Sequence, residues 1–210
     1  MAQDMRPAPA IPPVVADPGP LGLAAFALTT FVLSAHNANL FGFGDHSNAV
    51  VIGLAIFYGG LAQFMAGMWA FRNRNAFAAT AFSTYGAFWL ALGTYLAFGL
   101  FGKLKADDVE VSLGWFLFAF FIFNTYMMFC ATRINTAVFG VFLTLEVTEA
   151  LLALGFFAGN SQLIQAGGYM GIITAIVAWY TSGADVINSL FARPMAWVGQ
   201  PVWKESRRRP

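Results

Sequence analysis

Charged side chains are scarce in this chain. Eleven Lys or Arg and ten Asp or Glu make up 10% of its 210 residues, against roughly 25% in an ordinary soluble domain. So low a content excludes a surface solvated by water on all sides. The net charge of +1 excludes a nucleic-acid face, which needs concentrated Lys and Arg. The one dense basic cluster, Arg207-Arg208-Arg209, reads as a topology signal. Cysteine is nearly absent, and the single Cys130 rules out an intrachain disulfide and reads as a small buried residue. With two histidines and no metal-ligand spacing, catalytic triad or phosphate-cradling glycine loop, neither a metal nor a cofactor is expected, and the chain does not read as an enzyme. Residues 1–20 hold six prolines and no apolar run of signal-peptide length, so they read as a disordered Pro-rich tail.

Apolar residues are abundant, at 59%. Roughly 20 of them in succession cross a bilayer. Turn and charge clusters divide the chain into six such spans, about 21–41, 48–71, 77–101, 111–132, 136–158 and 163–187. The expected fold is therefore an all-α integral membrane protein with a six-helix domain over 21–192 and a basic tail over 193–210. Short connections make successive helices antiparallel neighbours. One side collects Arg6, Arg72, Arg74, Arg133, Arg193, Lys204 and Arg207 to Arg209, and the other only Lys103 and Lys105. The positive-inside rule puts the first side, with both termini, in the cytoplasm. The expected location is the plasma membrane (the inner membrane in a bacterium). Gly53, Gly60 and Gly67 recur every seven residues, as do Gly86 and Gly93, and each set predicts a stripe of close helix packing.

Lipid offers hydrogen-bonding groups no partner, so polar residues inside spans point to protein or to a wet pathway. The first span carries Thr29, Thr30, Ser34, His36 and Asn37; the third carries Thr84 and Tyr85; Gln63 and Asn124 lie on the second and fourth. Thr29, Thr30, Asn37, Gln63, Thr84 and Asn124 are the expected polar lining of a path between the first, third and fifth helices. Glu146 and Glu149 stand near the middle of the fifth span, roughly 60° apart around the helix. No Lys or Arg inside the membrane pairs with them. They read as proton-binding or gating groups in a transport path, or alternatively as neutral acids hydrogen-bonded between helices. His36, near a span end, is either an interfacial packing residue or a proton-exchanging group at the mouth.

The stretch Asp17-Pro18-Gly19-Pro20-Leu21-Gly22-Leu23 opens the first span. Asp17 suits a helix cap, Pro18 the first helical position, and Pro20 lacks an N–H that would be orphaned there. This stretch resembles the Asn-Pro-Ala-Pro-Leu-Gly-Leu signature of the acetate uptake transporters, the succinate–acetate permease or YaaH type. The likeness continues through Phe26, Thr29-Thr30, His36-Asn37, Phe57 to Gln63, Tyr85 to Leu90, Ala150 to Gly155 and Gly159-Asn160, over all six spans. It implies a urea-channel-like protomer with its own central pathway, assembled as a homo-hexamer and passing acetate, in some members succinate, with protons. It maps a narrow constriction onto Phe26, Tyr85 and Leu145, and a size-selective position onto Ala178. Two departures from the pattern matter: Asp17 replaces Asn, and Glu146 stands where Thr is found. The competing functions are a neutral-solute channel for urea, short amides or ammonia, and a membrane sensor or scaffold.

Overall fold

A computed structural model describes residues 15–102 and 106–204, without the side chains of 106–108. Residues 1–14, Lys103, Lys105 and Arg207 to Arg209 lie outside it. The described residues form six long helices and no strand: α1 Gly19–Asn37, α2 Ala49–Arg72, α3 Ala76–Leu100, α4 Ala106–Ala131, α5 Thr136–Ala158 and α6 Ser161–Leu190. All six are long and apolar enough to cross a membrane. Their outward faces carry exposed large apolar residues such as Phe57, Trp115, Phe129 and Ile176, the surface that lipid wets.

Starts are set by side chains. Asn75, Asn135 and Asn160 cap α3, α5 and α6, each Oδ1 accepting N–H bonds from the first turn, which satisfies donors that have no partner within the helix. At α1, Asp17 Oδ1 accepts from Gly19 N at 2.9 Å. That helix begins at Gly19 with Pro18 just before it, two residues earlier than the expected 21. It ends at Asn37, not 41. Asn39 turns into the left-handed region (φ 49°), followed by Phe41 (φ 52°) and Gly42 (φ 79°). Asn39 holds this turn with its own amide, accepting from Gly44 N at 2.8 Å and donating to Asp45 at 3.3 Å.

The helices pack in a ring in chain order, with α6 closing against α1. At the α1–α6 contact Gly168 and Gly171 lie against the backbone and side chain around Ser34, and Ser182 Oγ donates to Pro20 O at 2.7 Å. The backbones of α3 and α4 approach each other least, and aromatic rings fill that seam. Phe88 stacks on Phe116 at 5.0 Å and meets Phe120 edge-on at 4.8 Å.

Four of the five striped glycines pack as expected: Gly60 on Leu90, Gly67 on Ser83, Gly86 on Phe64 and Gly93 on Ala55. Gly53 does not; it faces open space. Ala55–Ala62 adopts the wider π geometry, in which each turn takes an extra residue. The stripe is therefore rotated out of line between Gly53 and Gly60. Cys130, expected to be buried, is exposed on α4. In a membrane span a small apolar thiol is as compatible with lipid as with protein.

The chain's last described stretch does not hang free. Residues 191–204 fold back over the α4–α5 connection through Ala137 N to Val198 O (2.9 Å), Trp203 N to Thr132 O (3.0 Å) and Thr136 Oγ1 to Gln200 O (2.8 Å). Asn73 Nδ2 reaches Ala16 O at 3.2 Å. The start of α1, the α2–α3 turn, the α4–α5 turn and this strap therefore share one end of the bundle.

A Cβ added at Gly86 would fall 2.6 Å from the Phe64 backbone nitrogen, which has no room to yield. Gly86→Ala should cost about 1–3 kcal/mol by overpacking, whereas Gly53→Ala should be neutral or slightly stabilising. Thermal unfolding of the purified protein in detergent checks both.

Candidate functional site

Two cavities open along the bundle axis, one at each end. The first, of about 210 Å³, lies at the end that carries the chain's start and the strap. Its walls come chiefly from α1, α3 and α5, including Phe26, Phe82, Tyr85, Phe142 and Leu145, with Gln63 from α2 and Asp185 from α6. The second, of about 450 Å³, is bordered by Leu33, His36 and Asn37 of α1, Leu92 of α3, Leu152 of α5 and the Asn39–Asn48 turn.

Phe26, Tyr85 and Leu145 meet at the inner end of the first cavity, and all three are buried. The Phe26 and Tyr85 rings stand edge to face, 5.8 Å apart. Seven residues further along the same three helices come Leu33, Leu92 and Leu152, which border the second cavity. Seven residues are two turns, about 10 Å. Phe26, Tyr85 and Leu145 thus border one cavity and Leu33, Leu92 and Leu152 the other. Sequence reasoning missed the leucine trio; its signal was the constant offset of seven from the constriction residues. Ala178, fully buried on α6, belongs to the same apolar cluster.

The first cavity collects the N-terminal ends of α1, α3 and α5, represented by Gly19, Ala78 and Val138, together with the capping residues Asp17, Asn75 and Asn135. Helix N-termini carry partial positive charge that favours anions; the carboxyl groups of Asp17 and Asp185 stand beside them. At the far cavity, His36 Nε2 lies 3.2 Å from His46 O, and its ring stands edge-on to Phe43.

Not all of the expected polar lining faces these cavities. Gln63 and Asn37 do. Thr29 is a correction: it is fully buried against Gly59 at the α1–α2 contact, because Gly59 leaves room for its branched side chain. Thr30 is buried as well, and neither Thr30 nor Thr84 borders either cavity. In the signature, Gly22 carries the Phe82 ring directly on its Cα, which sets the wall of the first cavity.

Asn124, Glu146 and Glu149 also stand off the cavity walls. They form a polar cluster behind the neck, between α3, α4 and α5. Tyr85 Oη lies 3.0 Å from Asn124 Oδ1 and 3.3 Å from Glu149 Oε1. Asn124 Nδ2 donates to Glu146 Oε2 at 2.6 Å and to Phe142 O at 2.9 Å. Thr125 Oγ1 is 2.5 Å from Glu146 Oε1. Of the two readings the sequence left open, the hydrogen bonds are those of acids held between helices, and among the described residues Glu149 reaches the cavity wall through the Tyr85 hydroxyl. Val141, Phe142 and Leu145 of α5 line the cavity; Glu149 falls in the same arc of the helix, one turn beyond Leu145, where its Oε1 meets the Tyr85 hydroxyl, and Glu146 lies further round, bonded to Asn124 and Thr125 of α4.

The profile of the GPR1/FUN34/yaaH family matches residues 2–196. The chain belongs to that family. Among relatives in the GPR1/FUN34/yaaH family, acetate permease A of Emericella nidulans is 44% identical over 200 residues, 86% of this chain and 66% of the relative. The chain thus spans just under two thirds of that relative's length. The succinate-acetate/proton symporter SatP of Escherichia coli K12 is 35% identical over 89% of this chain and 96% of its own length. The solved structure of the bacterial acetate channel SatP matches with a TM-score of 0.82 at 35% identity, over 88% of this chain and 99% of that one. Membership and the six apolar helices make this a multi-pass membrane protein.

Asn124 is the cluster's hub. Asn124→Ala should leave Tyr85 Oη, Glu146 and the Phe142 carbonyl short of a partner at a cost of about 1–3 kcal/mol. Thr94→Ala, whose hydroxyl bonds only its own helix at Leu90 O, should cost less. Thermal-unfolding midpoints of the two variants make the comparison.

Proposed function

We propose that this chain forms a membrane pathway for acetate and similar short carboxylates, succinate among them, moved together with a proton. The observation that carries this reading is the apolar neck of Phe26, Tyr85 and Leu145 between two cavities. Stripping water from a carboxylate anion without a compensating partner is costly, so a neck of this kind favours the neutral acid or cotransport with a proton. The three helix N-termini around the first cavity gather the anion, and the names of the relatives point to the same solutes. Gln63 and Asn37 supply polar contacts in the cavities, and Thr30, Thr84 and Asn124 support them from behind.

In this reading Ala178 sets solute size by holding α6 close to the neck. Asp17 caps α1 at the first mouth, with Pro18, Gly19, Pro20, Leu21 and Gly22 shaping that entry. Glu146 exchanges the coupling proton, Glu149 serves the gate through Tyr85, and His36 serves the far mouth. The first cavity and both tails, 1–20 and 193–210, face the cytoplasm on the strength of the basic residues at that end. The protomer assembles as a homo-hexamer in the plasma membrane, each copy with its own path.

Purified protein in liposomes should take up labelled acetate faster under an inward proton gradient. Uptake no greater than in empty liposomes defeats the reading, and flux indifferent to both the gradient and competing acetate points to a neutral-solute channel. Leu145→Ala or Ala178→Gly should admit bulkier acids such as lactate; unchanged selectivity in both, at normal expression, removes them from the filter. Glu146→Gln should shift the pH dependence of uptake, and a wild-type pH profile leaves Glu146 a structural acid.

A further inference from the structure

The cluster behind the neck has fewer protons than contacts. Following it outward, the contacts are Glu149 Oε1 with Tyr85 Oη, Tyr85 Oη with Asn124 Oδ1, Asn124 Nδ2 with Glu146 Oε2, Glu146 Oε1 with Thr125 Oγ1, and Thr125 Oγ1 with Phe121 O at 2.8 Å. Tyr85 and Thr125 bring one proton each. Asn124 brings one, because its second N–H is engaged by Phe142 O. Five contacts therefore share three protons unless a carboxyl group supplies another.

The shortage does not fall equally on the two acids. At the Thr125 end it is harmless, since the Phe121 carbonyl already accepts the helical N–H of residue 125 and Thr125 is free to donate to Glu146. Glu146 is half-buried and faces donors at 2.5 and 2.6 Å, the short geometry of charge-assisted bonds to an ionised carboxylate. At the other end, Tyr85 has one proton and two acceptors. Asn124 Oδ1 has Tyr85 as its donor among the described residues. Glu149 is 3% exposed, and among the described residues its Oε2 has no partner and its Oε1 meets only the Tyr85 hydroxyl. An ionised carboxylate there would lie in a low-dielectric seam with nothing to hold it.

We propose that Glu149 is a lasting neutral acid that donates its proton to Tyr85 Oη and so commits the Tyr85 hydroxyl to Asn124, fixing the neck ring. Glu149 is thus a positioning residue that acts on the pathway through Tyr85, while Glu146 carries the charge; this rests on the pathway reading above. The same device, a carboxylic acid kept neutral so that it can donate, is known from other buried sites. The groups around it fit. Tyr85 of α3 and Glu146 of α5 are the titratable groups acting on Glu149. Tyr126 of α4 acts on Tyr85. On α6, Thr174 meets this stretch of α5 through Thr148 at 3.0 Å. On α1, Phe26 faces Tyr85. None of these is a cation.

Infrared difference spectroscopy on the full chain in liposomes, at neutral pH and without solute, tests this apart from any transport. The expected result is a protonated-carboxyl C=O band that is lost in Glu149→Gln, kept in Glu146→Gln and displaced in Tyr85→Phe. A spectrum with no band specific to Glu149, or a band lost in Glu146→Gln instead, overturns the proposal. Should Glu149→Gln fail to fold, Tyr85→Phe decides, because an undisplaced carboxyl spectrum overturns it equally. In flux assays Gln, whose amide N–H also donates to Tyr85, should preserve acetate-over-lactate selectivity, and Glu149→Leu, similar in bulk without a donor, should lose it. Equal selectivity in the two variants contradicts the positioning role. If acetate uptake is itself absent, the infrared result still stands or falls alone.

Discussion

Inside a bilayer a buried amide, hydroxyl or carboxyl group has only other protein groups to bond, and between α3, α4 and α5 those groups meet at Asn124. Its side chain is completely buried and joins three helices, taking Tyr85 from α3 and giving to Glu146 and the Phe142 carbonyl of α5. The α3–α4 seam, where backbones approach least, is held by this one polar hub and by aromatic rings from Phe88, Phe116, Phe120 and Phe123. The position of the Tyr85 ring, and with it the neck, follows from that arrangement. Polar chemistry sits behind the constriction and apolar surface on its face.

Charge and partial charge are sorted along the axis in the same spirit. Helix N-termini, Asn caps, Asp17 and Asp185 surround one cavity; His36, Asn37 and the Asn39 turn surround the other. Two turns of apolar side chains separate them, Phe26, Tyr85 and Leu145 leading to Leu33, Leu92 and Leu152. In the proposed pathway a solute is met by polar groups at either mouth and by mainly apolar side chains between them. Such a layout discriminates by charge state and bulk more than by hydrogen-bond pattern.

Much of this is legible in the residues. Hydrophobic length with the turn and charge clusters between spans separates the six helices, and α5 runs over the expected span to the residue. Phe26, Tyr85 and Leu145, singled out by the resemblance, border one cavity, whereas Asn124, expected on the path, stands off both cavity walls because its amide is taken up by Tyr85, Glu146 and the Phe142 carbonyl. The misses have physical causes. The early end of α1 depends on Asn39 taking a left-handed conformation, which side-chain hydrogen bonds within the turn stabilise. Gly53 falls out of its stripe because a π segment, invisible to a 3.6-residue period, intervenes. For Glu146 and Glu149 the residues alone leave two readings open, a group on the path or an acid bonded between helices, because the partners Tyr85, Asn124 and Thr125 come from other helices far along the chain. The strap over 191–204 is held largely by backbone carbonyls, which no side-chain pattern announces.

The central claim is that what crosses the neck carries no net charge. Acetate flux through the purified protein in liposomes, with voltage set independently at equal pH on both sides, tests it most directly. The account predicts flux that follows the acetate gradient and does not change with membrane voltage. Flux driven by voltage alone, in the direction of acetate anion movement, would contradict it.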